Sequence, residues 1–171
     1  AGPARRRVAA ARGRYPAGVG IDTSRGFTLD DILKIVFGIA VLGHGLAHAV
    51  AAVNLGRQMG GTIRDDALTV RTPLLPNLSD RAAATLALVF WLPAAIGFIV
   101  AVPAMLDLAL PELAWSVVLV AAALISSAGI ALFAGTWPGG EARLRALHIV
   151  LALGMNAIIL VTQLVLGWPE S

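Results

Sequence analysis

The chain has 171 residues, 58% of them hydrophobic and only 13% charged, against roughly 25% charged residues in a typical soluble domain. The formal charge is +3 and the pI about 10.6. The basic residues lie in a tail and beside apolar stretches, where arginine serves topology and meets anionic headgroups, and no nucleic-acid-reading motif accompanies them. Nucleic acid is therefore excluded as a partner, and the absence of cysteine excludes disulfides, thiolate metal sites and thiol catalysis.

Residues 1–26 hold six arginines, one acid, two prolines and five glycines. Such a segment buries no core and reads as a disordered basic tail attracted to anionic lipids. The remainder, 27–171, reads as one four-helix transmembrane domain.

The first span covers about 32–54. Thr28 and Asp31 stand three apart before it, as in a capping box where hydroxyl and carboxylate satisfy early backbone donors. Its 23 residues reach roughly 34 Å, enough for a hydrocarbon core of about 30 Å, and Lys34 is placed to snorkel to the interface. The connection over 55–81, with a glycine pair, two prolines and mixed charges, is extramembrane. Within it 62–72 reads as a short hairpin or an interfacial segment.

The second span, about 82–105, follows Ser79 and Asp80, both suited to capping. Pro93 and Pro103 fall inside it, and a kink is expected near Pro93. Pro111 and Glu112 open the third span, about 113–135, as helix N-termini prefer. The fourth, about 144–167, ends at Trp168-Pro169. Trp115, Trp137 and Trp168 all fall near span ends, where interfacial aromatics sit.

Four spans put the tail, the loop near 106–112 and the C-terminus on one side. Six arginines lie in the tail, and six on the other side, at Arg57, Arg64, Arg71, Arg81, Arg143 and Arg145. The density of the tail favours cytoplasmic termini. The excess of arginine over lysine, with abundant alanine and glycine, points to a prokaryote and a bacterial inner or plasma membrane.

No Asp or Glu lies within the four apolar stretches. There is no HExxH helix, no intramembrane carboxylate relay and no acid to orient a histidine in a hydrolytic triad. No catalytic residue is assigned. The polar candidates are His44 and His48 in LGHGLAHAV, His148 in RALHIVLALGMN, and their neighbours Ser126, Ser127, Met155 and Asn156. A spacing of four places His44 and His48 about 40° apart around the helix and about 6 Å apart along it, on one face. An up-down bundle sets His48 and His148 at similar depth, roughly 6–9 Å below one surface, so the three histidines are able to converge, with His44 level with Met155.

Three readings follow. The histidines bond to serines, carbonyls and each other, joining helices as intramembrane polar groups do. They form a site of three imidazoles for zinc or copper. Or they ligate haem b, with His148 on one side and His44 or His48 on the other. Gly38, Gly43, Gly45, Ala47 and Ala51 suit close helix approach, within the chain or towards a protein partner or second copy.

The HGLAH sequence on the first span, followed later by WPGG and a last span carrying Asn156, resembles a group of small, functionally uncharacterised prokaryotic membrane proteins with an HGxxH-type motif. That resemblance covers about residues 30–165 and implies a four-helix architecture without an activity. The expected function is a non-enzymatic accessory or scaffold subunit of a membrane complex. The alternative is a His-ligated metal or haem b protein in electron transfer or oxidoreduction.

Overall fold

The structure, a computed structural model, describes residues 26–61, 74–108, 114–137 and 142–169. The basic tail, the 62–72 segment and the Pro111-Glu112 start lie outside the described residues. Four helices follow in order: α1 over Leu29–Met59, α2 over Asp80–Met105, α3 over Trp115–Phe133, then a 3-10 turn at Ala134–Thr136, and α4 over Ala142–Leu164. Among the described residues there is no strand. All four helices are long and apolar enough to cross a bilayer, and the chain is an integral, multi-pass membrane protein.

The local signals act as their chemistry dictates. Thr28 accepts from the Asp31 amide at 3.2 Å, and the Asp31 carboxylate accepts from the Thr28 amide at 2.8 Å, a reciprocal capping box. Ser79 caps α2 by accepting from the Ala82 amide at 3.3 Å. With Pro93 and Pro103 inside it, α2 still runs as one helix over 26 residues. At 31 residues, α1 reaches roughly 46 Å, longer than a hydrocarbon core of about 30 Å, because helix-compatible residues continue from Asn54 to the terminating Gly60.

α2 packs extensively on both α1 and α3, whereas α4 packs on α3 and meets α1 only sparsely. Within their most apolar windows, α1 is 44% buried and α4 only 17%, so α4 is the peripheral helix. Where α1 crosses α2, Gly45 makes room: a Cβ there would stand 2.8 Å from the Cβ of Phe98. This is the close backbone approach that small residues permit in lipid.

The core forms two apolar clusters. One gathers Phe37, Val41, Phe98, Met105, Leu119 and Ile159; the other gathers Leu55, Trp91, Ile130, Phe133 and Trp137. In sequence, His44 and His48 fall between the α1 members of the two clusters. Outward faces carry Ile39 and Val53 of α1, Val89 and Ile96 of α2, Val117 of α3, and Val150 and Val161 of α4, all exposed. Apolar surface on every helix suits acyl chains and not water.

Candidate functional site

The site begins with two imidazoles one turn apart on α1. Their ring centroids are 4.8 Å apart in a T-shaped contact. His48 is fully enclosed and His44 nearly so. Burying such groups costs free energy unless they are hydrogen-bonded, and α3 and α4 supply the partners.

Asn156 of α4 is the hub. Ser127 spends its one hydroxyl proton on the Ala123 carbonyl, at 2.8 Å, so towards Asn156 it is able only to accept. Asn156 therefore presents its Nδ2 amide, donating to Ser127 Oγ at 3.1 Å and to Ser126 Oγ at 2.7 Å. That orientation turns Oδ1 to His44, whose Nε2–H donates across 2.9 Å. The proton of His44 thus sits on Nε2, and Nδ1 keeps its lone pair.

Ser126 carries the chain onward. Its oxygen accepts from Asn156, and its own proton goes to His48 Nε2 at 2.8 Å. His48 then holds its proton on Nδ1, which is buried with no hydrogen-bond partner. Rings surround it: Trp137 at 4.9 Å, Trp91 at 5.2 Å and Phe98 at 5.8 Å between centroids. The result is a directed chain, His44 to Asn156 to Ser126 to His48, in which each bond polarises the next. It links α1, α3 and α4.

Five of the seven sequence candidates meet here: His44, His48, Ser126, Ser127 and Asn156. Met155 is half-buried and packs against the apolar cluster around Phe98 instead. His148 is exposed on α4 and lines a cleft with His44. That cleft lies between α1 and α4 and has a volume of about 460 Å³. Ala47 and Val50 form its α1 wall, Leu151 and Ala152 its α4 wall, and Trp137 closes one part. Among the described residues, no group of three His, Cys, Asp or Glu side chains is arranged to hold a metal ion.

Sequence reasoning missed the aromatic shell. Trp91 and Phe98 read simply as span residues, and Trp137 as an interfacial ring. Trp137 instead turns inward, 4% exposed, with its ring 5.1 Å from Trp91, because the 3-10 turn after α3 folds it over the end of the bundle. Trp168 does lie at a span end, half-buried, its indole donating to Asp30 at 2.8 Å. No family model, curated protein or solved structure compared with the chain matches it.

Proposed function

We propose that this membrane protein is a non-enzymatic accessory or scaffold subunit of a membrane complex, in which the intramembrane polar residues hold a helical frame. One observation carries the reading: Asn156 makes three hydrogen bonds, to His44, Ser126 and Ser127, so the polar side chains of three helices are committed to one another. Groups spent in this way fasten helices. Lipid-facing apolar surfaces on every helix leave room for a partner protein or a second copy. The same reading keeps the chain with the small prokaryotic membrane proteins it resembles. It places both termini in the cytoplasm of a bacterial inner membrane, with the basic tail on anionic lipid.

The test is native electrophoresis of the protein extracted from its own membranes in mild detergent, together with an absorption spectrum and elemental analysis. A scaffold subunit migrates in a larger assembly with a second membrane protein in fixed ratio, without a Soret band or stoichiometric metal. Migration alone, with stoichiometric zinc, copper or haem b, would overturn the reading in favour of histidine ligation.

A further inference from the structure

We infer that the cleft between α1 and α4 is a binding site for a membrane-dissolved aromatic alcohol of the hydroquinone class, with His44 Nδ1 as the hydrogen-bond acceptor. The inference does not rest on the scaffold reading.

The cleft, at about 460 Å³, falls within the range of small-molecule sites, roughly 300–1,000 Å³. Its wall residues Val50 and Leu151 are exposed on the outer surface of the bundle, so entry is from the acyl-chain phase. Ala47, Val50, Leu151 and Ala152 offer no polar atom beyond the backbone, which selects an apolar body.

The polar requirement is set by the network behind the cleft. Ser127 fixes the Asn156 amide, Asn156 takes the Nε2 proton of His44, and the lone pair is left on Nδ1. No described residue bonds that nitrogen. It is also not sealed, since among the described residues the one fully buried side-chain polar atom without a partner is His48 Nδ1. His44 itself borders the cleft, and the proposed site requires this nitrogen to face it. A ligand meeting it must carry a donor. The flat rings of His44, His148 and Trp137 along the cleft favour an aromatic body. The α1 lining runs from His44 to Val50, six residues or about 9 Å along the helix, which leaves length for a ring with an apolar substituent. A lipid acyl chain would use the walls but leave the lone pair unmet.

The experiment is nitrogen-15 NMR of the imidazoles in the full chain in lipid nanodiscs, titrated with tetramethylhydroquinone under anaerobic reducing conditions. Its dimethyl ether, which has no donor, is titrated in parallel. The expected result is a saturable shift of His44 Nδ1 with the hydroquinone and at least about tenfold weaker binding of the ether, the worth of one good hydrogen bond. Ala47→Leu, which fills the cleft without touching the network, should remove the shift while helicity persists. Val50→Phe at the rim serves if that variant does not fold. No saturable shift, equal binding of the ether, or an unchanged titration in a folded cleft variant would each overturn the site.

Discussion

His44 Nε2 lies 2.9 Å from Asn156 Oδ1, across 112 positions of sequence, and this bond ties the first membrane helix to the last. α1 and α4 share little other contact. Lipid chains are as apolar as leucine, so burial alone gives α4 little reason to dock. The polar bond and its neighbours supply the reason.

Removing the hub should therefore be costly. Asn156→Ala leaves the His44 donor without its acceptor and two serines without their donor. We expect a loss of about 1–3 kcal/mol, the usual penalty for stranding a buried polar group. Unfolding in a denaturing-detergent titration measures it, and a loss within error of zero would show that the network fastens nothing.

The hydrogen-bond chain has a direction, and the direction fixes two different tautomers. His44 should carry its proton on Nε2, and His48 on Nδ1. Nitrogen-15 imidazole shifts distinguish them. Finding the same tautomer at both positions would contradict the Ser127-to-Asn156 argument.

The two adjacent serines are unequal. Ser127→Ala leaves one Asn156 proton unbonded, whereas Ser126→Ala also strips His48 Nε2 of its partner, in a ring whose Nδ1 already has none. Ser126→Ala should cost more, by about 1 kcal/mol. The same detergent titration ranks the two.

Two glycines two residues apart on α1 should respond with opposite signs. A Cβ at Gly43 meets nothing within 4 Å, so Gly43→Ala gains helix propensity, up to about 1 kcal/mol. At Gly45 the new carbon lands 2.8 Å from Phe98 Cβ, an atom fixed to the backbone. Gly45→Ala should lose about 1–3 kcal/mol through overpacking, and thermal unfolding of the pair reads both signs.

The number of spans was legible because each is a long apolar run bounded by charge, proline or glycine. The ends were less so: apolarity fades at Asn54, but helical hydrogen bonding continues to Met59, since helix formation does not require apolar side chains. The polar cluster was legible as a set. Intramembrane polar residues are few, and His44 and His48 share a face by spacing alone. Its wiring was not legible, because the Asn156 amide orientation depends on where the Ser127 proton goes. That is a matter of ångströms between helices. Trp137 illustrates the same limit. Its position at a span end suggested an interfacial ring, and only the turn after Phe133 carries it inward against His48.

The most direct test is a double-mutant cycle between His44→Ala and Asn156→Ala, read as unfolding free energy in a detergent titration. The expected coupling is about 0.5–2 kcal/mol, the range spanned by interhelical hydrogen bonds in membranes. Additive losses, with no coupling between the two positions, would contradict the claim that this bond holds α4 to α1.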